Sequence, residues 1–444
     1  MAPSTSIVFD EDKWSPLQLL VVALCFIVNM IDGMDVLILS YIAPTLQQEW
    51  GVSADRVGVL FSAGLLGMAI GGLLIAPLAD LFGRKLVIVA SLVCSTIAMI
   101  ASGFAADVSQ LMVLRGLVGI GIGSVLASMA ALISEFAPDR RRNFAVGLLY
   151  GGYPLGAIFT GFVAAKAIPA YGWHVVLTGA GLVSALMLPV LIFLLPESIQ
   201  YLIKRRPAGA LERLNGILAR MGRPALGLLP SPQEERTKVG IAGLFADGRT
   251  FSTLLLWAAM ILGFAALWFA ISWIPKLAVM SGLNAADSIY AGTMFNVGAF
   301  VGTVALGIIT ASIDLRRMIL VFLALAAVAM ALFGALKLPV PLVMTLAFLI
   351  GFLLQGGFNG IYPLAARLYP AEVRSTGIGW TTGIGRIGAV AGPLVGGVLI
   401  ERQVALWLIF LTFAIPSLLG GVCAALVRLP PPSAARALPE PARQ

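Results

Sequence analysis

Residues 17–43 read LQLLVVALCFIVNMIDGMDVLILSYIA, an apolar stretch in which Asp32 and Asp35 are the only charged residues. A helix of about 20 apolar residues is long enough to cross the ~30 Å hydrocarbon core of a bilayer. We therefore predict a first membrane span here. Eleven further runs of this kind follow, at residues 53–78, 86–105, 110–133, 144–168, 174–195, 251–275, 288–311, 317–336, 340–366, 376–400 and 404–427.

The composition also indicates a membrane protein with many spans. Of 444 residues, 59% are hydrophobic and 11% are charged, whereas a soluble domain has about 25% charged residues. The net charge of +8 raises the possibility of nucleic-acid binding. However, if both termini are cytoplasmic, 22 of the 29 Lys and Arg residues lie on the cytoplasmic side, five lie outside and two lie within spans. This distribution follows the positive-inside rule, so no nucleic-acid partner is expected.

The chain divides into two halves. A polar stretch at 196–250 contains nine of the 29 basic residues, and we predict a cytoplasmic linker there with a surface helix over 208–221. The halves are then 1–195 and 251–444. A shift of 232 positions superimposes Pro138, Arg142, Gly147, Gly151 and Gly156 on Pro370, Arg374, Gly379, Gly383 and Gly388. Parallel repeats of this kind are typical of transporters whose site lies between the halves.

The predicted fold class is therefore an all-α membrane protein with twelve transmembrane helices in two pseudo-symmetric six-helix bundles. We expect a monomer embedded in the lipid bilayer. The three cysteines lie in apolar runs without metal-ligand spacing, so no metal, cofactor or disulfide is expected. The chain also lacks paired catalytic groups, which argues against an enzyme.

Asp32 and Asp35 are candidates for a proton site. They are the only acidic residues deep inside a span, where a carboxylate costs several kcal/mol and usually marks an ion or proton path. Their spacing of three places them on one helix face. Arg115 in the fourth span lies at a comparable depth and is the natural partner. The alternative is a structural ion pair that only holds helices together.

Arg386 is the candidate for binding an anionic substrate. It lies ten residues past Thr376, which is ~15 Å into the eleventh span at ~1.5 Å per residue. Its span contains no acidic residue, and a cation near the midplane suits a carboxylate ligand. The alternative is that Arg386 binds main-chain carbonyls or neutralises the acids of the first span.

Aromatic and polar residues in the spans can complete such a site. Rings provide apolar walls, and amide groups orient ring substituents. The candidates are Tyr150, Tyr153, Trp268, Trp273, Phe295, Tyr362 and Trp380 for the walls, and Asn29, Asn296, Gln355 and Asn359 for polar contacts. More often, such residues serve packing, and we expect no more than half of them to touch a ligand.

Several motifs resemble those of the major facilitator superfamily. APLADLFGRK (76–85) resembles its signature loop, LRGLVGIGIG (114–123) its fourth-span arginine motif, and PES (196–198) the end of its sixth span. DGMD (32–35) is similar to the acidic motif of the aromatic acid:proton symporters. ISEFAPDRRR (133–142), YGWH (171–174) and YPAEVRSTGIGWTTGIGRIG (369–388) resemble the same branch. The resemblance extends from the first span to the last.

This resemblance implies the major facilitator fold and gating roles for charged loop residues. The gating candidates are Asp80, Gly83, Arg84, Lys85, Glu135, Arg142, Asp314 and Arg374. The loop SIDLRRM lacks the glycine of the usual pattern after the eighth span, which weakens the assignment of Asp314.

We therefore expect a proton-driven importer of small aromatic or related cyclic carboxylates in a bacterial-type inner membrane. The alternative is a proton-driven exporter of small organic compounds. Exporters of this superfamily typically have a Gly-x-x-x-Gly-Pro motif in the fifth span, whereas here GPLVGG lies in the eleventh, at 392–397.

Overall fold

The computed structural model describes residues 14–138, 141–230, 241–309, 314–335, 339–370 and 373–429. Twelve helices in these ranges are long and apolar enough to cross a membrane, which confirms a multi-pass membrane protein. Both chain termini, whose cytoplasmic position we predict, lie outside the described residues. The twelve helices are α1 (Pro16–Trp50), α2 (Ala54–Phe82), α3 (Arg84–Ser102), α4 (Val108–Phe136), α5 (Arg142–Tyr171), α6 (Trp173–Leu194), α7 (Thr250–Met280), α8 (Ala285–Ile309), α9 (Leu315–Ala335), α10 (Val340–Leu368), α11 (Arg374–Glu401) and α12 (Leu406–Leu426).

The predicted span boundaries differ most at the end of α1. The helix begins at a capping box in which Ser15 and Gln18 exchange side-chain and main-chain hydrogen bonds, an arrangement that satisfies free N–H groups of the first turn. It continues through Pro44 to Trp50 and ends at Gly51, which adopts φ 61°. The prediction placed this end at residue 43, because the apolar run weakens there.

Two short helices follow α6, and we call them the loop helices. They span Ile199–Arg205 and Ala210–Arg220. The second confirms the helix predicted over 208–221, and its buried Leu214, Ile217 and Leu218 belong to the same apolar cluster as residues of α1, α4 and α6. We call the end of the helix bundle that carries the loop helices the loop face, and the opposite end the far face.

The helix partners in the two halves correspond to each other. In the first half α1 packs against α5, α2 against α4 and α3 against α6. In the second half the matching pairs are α7 with α11, α8 with α10 and α9 with α12. These are the partners that two halves related by a six-helix repeat would have.

Glycines allow the main chains of α1 and α5 to touch. A Cβ on Gly33 would overlap the carbonyl of Tyr153, and a Cβ on Gly156 would overlap that of Met30. Nearby, Asn29 Nδ2 donates to the carbonyl of Leu149 at 2.6 Å. Small residues are common where membrane helices approach this closely. The α1–α5 crossing thus fixes Asp32 and Asp35 relative to α5.

Candidate functional site

An ion pair lies in the core of the first half. Arg115 Nη1 of α4 donates to Asp35 Oδ1 of α1 at 2.8 Å, and both side chains are almost completely buried. The pairing predicted from comparable depth is present. Asp35 lies 15 residues from the end of α1 at Trp50, or ~22 Å at ~1.5 Å per residue, because α1 extends beyond the predicted span.

Asp32 is buried one turn away from Asp35 but has a different environment. Its Oδ2 has no hydrogen-bond partner among the described residues. It interacts electrostatically with Asp35, and no ion pair of Asp32 is found in the described part of the chain. A negative charge on Asp35 is therefore compensated by Arg115, whereas a charge on Asp32 would carry the desolvation cost of an unpaired ion.

Arg386 lies at the boundary between the two halves. It is 12 residues into the 28-residue helix α11, and its Cζ lies 5.7 Å from the centroid of the Phe264 ring of α7. Its guanidinium also interacts electrostatically with the hydroxyls of Tyr362, Tyr150 and Tyr153. Tyr362 belongs to the second half and the other two to the first. The predicted arginine and three of the predicted aromatic residues are therefore brought together.

Tyr153 lies within electrostatic range of both charged groups. Its hydroxyl interacts electrostatically with Arg386, Asp35 and Asp32. The hydroxyl oxygen is buried and has no hydrogen-bond partner in the described ranges, and its main chain is held against Gly33 at the α1–α5 crossing. The proton-site candidates and the anion-site candidate are thus adjacent.

The other predicted aromatic residues lie elsewhere. Trp273 is fully buried, donates from Nε1 to the Pro393 carbonyl at 3.0 Å and meets the edge of Phe61. Phe295 is buried at the contact with α10. Trp380 stacks on Trp257 and, being six residues from Arg386, is about 120° away from it around the helix.

The four predicted polar contacts take part in helix packing. Asn29 binds the Leu149 carbonyl, as described above, and Asn296 donates to the Gly292 carbonyl of its own helix at 2.8 Å. Gln355 donates to Asn359, which in turn donates to Thr303 of α8, both at 2.9 Å. Gln355 and Asn359 remain half-buried. These bonds favour structural roles in this conformation, most clearly for the buried Asn29 and Asn296.

The halves are joined near the far face. Ser40 Oγ of α1 donates to the Ile271 carbonyl of α7 at 2.9 Å, and Ser62 Oγ of α2 donates to the Val390 carbonyl of α11 at 2.8 Å. Glu401 accepts from the main-chain N–H of Ala54 at 2.7 Å. In contrast, Tyr150, beside Arg386 and toward the loop face, is 49% exposed. The space around Arg386 is therefore closed toward the far face.

The predicted gating residues near α2 and α3 form a charge network at the loop face. Arg84 Nη2 pairs with Glu135 at 2.9 Å and lies 3.7 Å from Asp80. Glu135 also accepts from Ser198 Oγ at 2.6 Å, and Glu197 accepts from the main-chain N–H of Lys85. Gly83 adopts φ 101° and lies against Glu197. All these residues belong to the first half or to the segment that follows it.

The remaining gating candidates lie at helix ends. Asp314 accepts from the main-chain N–H groups of Arg316 and Arg317 at the start of α9. Arg374 donates from Nε to the Tyr369 carbonyl at 3.2 Å. Arg142 is exposed at the start of α5. Their gating roles stay predictions.

Sequence reasoning missed Phe264, whose ring lies under Arg386. A phenylalanine within an apolar run carries no signal of its own, because every span contains similar residues. The cation–π geometry, worth ~0.5–2 kcal/mol, becomes visible only in three dimensions.

Comparison with known proteins identifies the family of this chain. The model of the Major Facilitator Superfamily matches residues 25–339 and, in a second match, 288–444. The chain belongs to the major facilitator superfamily. A major facilitator of known structure, the xylose transporter XylE from Escherichia coli in an inward-open conformation, superposes with a TM-score of 0.70 at 15% identity, covering 92% of this chain and 95% of its own. That likeness confirms the fold.

Curated relatives identify the branch of the superfamily to which the chain belongs. The 4-hydroxybenzoate transporter PcaK of Pseudomonas aeruginosa is 35% identical over 87% of each chain. The gallate transporter of Pseudomonas putida is 33% identical, covering 92% of this chain and 91% of its own. The benzoate transport protein of Acinetobacter baylyi is 30% identical, covering 94% and 91% respectively. The protein is thus a transporter of the aromatic acid transporter family and not an enzyme.

Proposed function

We propose that this major facilitator is a proton-coupled importer of small aromatic carboxylates in a bacterial inner membrane, with its loop face and both termini in the cytoplasm. The observation that carries the proposal is Arg386, a cation at the boundary of the halves with an aromatic ring on one side and three tyrosines around it. The names of the relatives, which are transporters of 4-hydroxybenzoate, gallate and benzoate, support the same substrate class.

Arg386 binds the substrate carboxylate in this proposal. A guanidinium donates two parallel hydrogen bonds to a carboxylate, and its charge is always present. Phe264 and Tyr362 provide apolar surface for an aromatic ring, while the hydroxyls of Tyr150 and Tyr153 are able to bind ring substituents. A carboxylate also balances the charge of Arg386, for which no ion pair is found among the described residues.

Asp32, Asp35 and Arg115 form the proton site. Protonation of Asp35 would release Arg115 from its 2.8 Å contact, so the ion pair is an element with two arrangements that a proton can bias. Two carboxyl groups one turn apart exchange protons as a coupled pair. Tyr153 couples this pair electrostatically to the proposed substrate site, because its hydroxyl interacts with Arg386 and with both carboxyl groups.

Alternating access follows from the closure of the far face. With the hydrogen bonds Ser40–Ile271 and Ser62–Val390 in place, the described conformation is the one that releases substrate toward the loop face. Opening of the far face would require these bonds to break while the halves approach at the loop face. Both sites lie within one chain, so we propose a monomer as the transport unit.

We expect an inward proton gradient to drive accumulation of labelled 4-hydroxybenzoate in proteoliposomes containing the purified protein. A proton symporter moves substrate in the same direction as protons, whichever way the protein is inserted. With about one pH unit imposed, acid outside, one proton per substrate supports accumulation of about tenfold. Protein-free vesicles are the control, because the undissociated acid also crosses lipid.

The opposite gradient separates the two transport modes. An antiporting exporter would accumulate substrate with the acid compartment inside, and that result would refute the proposed symport. Uptake that exceeds the uptake by protein-free vesicles but does not respond to either gradient would indicate a carrier without proton coupling. That result would also contradict the proposal.

The proposed topology predicts that the loop face, including the segment after the loop helices, is protected from reagents outside the cell. In a variant lacking Cys25, Cys94 and Cys423, a cysteine at Leu228, whose side chain is 83% exposed, should not react with an impermeant thiol reagent added to intact cells. A cysteine at Ala106, an exposed residue between α3 and α4 at the far face, should react. Labelling at 228 with protection at 106 would invert the orientation.

A further inference from the structure

A small, partly open space lies beside the Asp35–Arg115 ion pair. Its volume is about 30 Å³. Helices α1, α2 and α4 of the first half and α7 of the second half line it, and the lining includes Asp35, Arg115, Gly64, Trp268 and Ser272. The space therefore crosses the boundary between the halves, and Ser40 and Ile271, whose hydrogen bond holds α1 against α7, also line it.

The volume decides what can occupy this space. A water molecule needs about 10–15 Å³ measured in this way, so one or two waters fit. Pockets that bind drug-sized ligands measure ~300–1,000 Å³, which excludes an aromatic acid. The space is distinct from the surroundings of Arg386.

Three donor groups around the space have no partner. Arg115 Nε and Nη2 and Trp268 Nε1 are buried and make no hydrogen bond to any described residue. All of these atoms donate and cannot accept. One or two waters in the space would accept hydrogen bonds from these donors and donate to the carboxylate of Asp35, which would satisfy both sides of the ion pair. A buried unpaired donor costs ~1–3 kcal/mol, which makes occupation by water favourable.

We propose that water in this space links Trp268 to the Asp35–Arg115 pair, so that Trp268 is a positioning residue of the proton site contributed by the opposite half. The inference rests on the proposed proton coupling. The proposed link depends on the conformation. The indole N–H reaches the water only while α7 lies against α1, as it does with the far face closed. Opening of the far face would withdraw it and change the support for charge on Asp35.

The titratable groups around Asp35 come from three helices. Asp32 on α1 and Arg115 on α4 flank it, and Tyr153 on α5 interacts with it. Among the described residues that line the space, α2 and α7 contribute no titratable group. The contribution of α7 is therefore the neutral N–H of Trp268, which can be removed without changing any charge.

The test is the pH profile of gradient-driven 4-hydroxybenzoate uptake by Trp268→Phe in proteoliposomes. Phenylalanine keeps an aromatic ring but removes the donor, so the anionic form of Asp35 loses hydrogen-bonded support. We expect the pH of half-maximal driven uptake to rise by about 0.4–1 unit. Substrate exchange at equal concentrations should persist. Trp257→Phe is the matched control, because Trp257 lies on the same helix with a buried, unbonded Nε1 away from the space.

A second variant addresses the space itself. Gly64 lines it, and a Cβ there would meet only the Arg115 carbonyl, at 3.7 Å, so Gly64→Ala should fold and put a methyl group where water is proposed. It should shift the profile in the same direction. Gly72→Ala, on the same helix with a comparable 3.6 Å contact and outside the lining, should not.

The outcomes separate this inference from the proposed function. If the wild type ignores the proton gradient, the proposed coupling fails. If the wild type responds but Trp268→Phe and Gly64→Ala keep its pH profile, the water link is refuted. Equal loss of driven uptake and exchange at every pH, with an unmoved midpoint, would assign Trp268 to packing and also overturn the inference.

Discussion

Replacement of Arg386 by lysine is expected to weaken binding of 4-hydroxybenzoate about ten- to a hundredfold, although the charge is kept. Hydrogen bonds to charged groups contribute roughly 1.5–3 kcal/mol, which corresponds to this range of affinity. An ammonium group does not reproduce the two parallel bonds of a guanidinium or its cation–π contact with the Phe264 ring. Arg386→Ala should bind more weakly still. Calorimetric titration of the purified proteins measures the effect.

Two comparisons make this result specific. The uncharged amide of the ligand should bind wild type and Arg386→Lys with similar, weak affinity. Arg402→Lys provides a matched control, since Arg402 is exposed at the far-face end of α11. If Arg386→Lys binds the carboxylate as well as the wild type does, Arg386 is not the carboxylate site. If Arg386→Ala disturbs proton coupling but leaves affinity intact, its role is to neutralise the acids of α1.

Replacement of Asp35 by asparagine should abolish proton-driven accumulation. With a gradient of about one pH unit, accumulation should fall from about tenfold to the level of protein-free vesicles, because the proposed proton-exchanging residue, which also binds Arg115, is lost. Exchange of substrate at equal concentrations across the membrane should survive. Both are measured with labelled 4-hydroxybenzoate in the same proteoliposomes.

The buried ion pair makes a further variant necessary. Loss of one partner of such a pair typically costs 3–5 kcal/mol of stability, since the other charge remains buried. The double variant Asp35→Asn/Arg115→Gln removes both charges and should fold better while remaining uncoupled. Asp32→Asn breaks no ion pair found in the described chain and should also lose accumulation. Persistent gradient-driven accumulation by Asp35→Asn would exclude Asp35 from coupling.

The fold was predictable because each span is recognisable from its own run of apolar residues. Twenty apolar residues must form a helix in a bilayer, where every main-chain polar group needs a partner. Helix ends were less predictable. At α1 the apolar run weakens near residue 43, yet capping by Gly51 comes seven residues after Pro44. Hydropathy indicates which residues lie within the membrane, whereas the ends of helices depend on local hydrogen bonding.

The candidate site was predictable where charge identified its residues. Carboxylates and guanidinium groups are costly within a membrane, so Asp35, Arg115 and Arg386 stood out from the sequence. The rings did not, because an aromatic residue has no such cost. Tyr153 and Trp273 look equivalent in the sequence. In the structure Tyr153 interacts electrostatically with Arg386, whereas Trp273 donates a hydrogen bond to the Pro393 carbonyl. Only the direction of each helix face separates them.

The serine bonds at the far face have a thermodynamic consequence. Ser40 and Ser62 each donate to a main-chain carbonyl of the other half, and on opening water can replace each donor. Net contributions of ~0.5–1.5 kcal/mol apiece sum to about 1–3 kcal/mol, a population ratio of roughly five to 150. A contribution of this size is small enough that a ligand or proton with a comparable preference for one of the two proposed closures reverses which of them predominates.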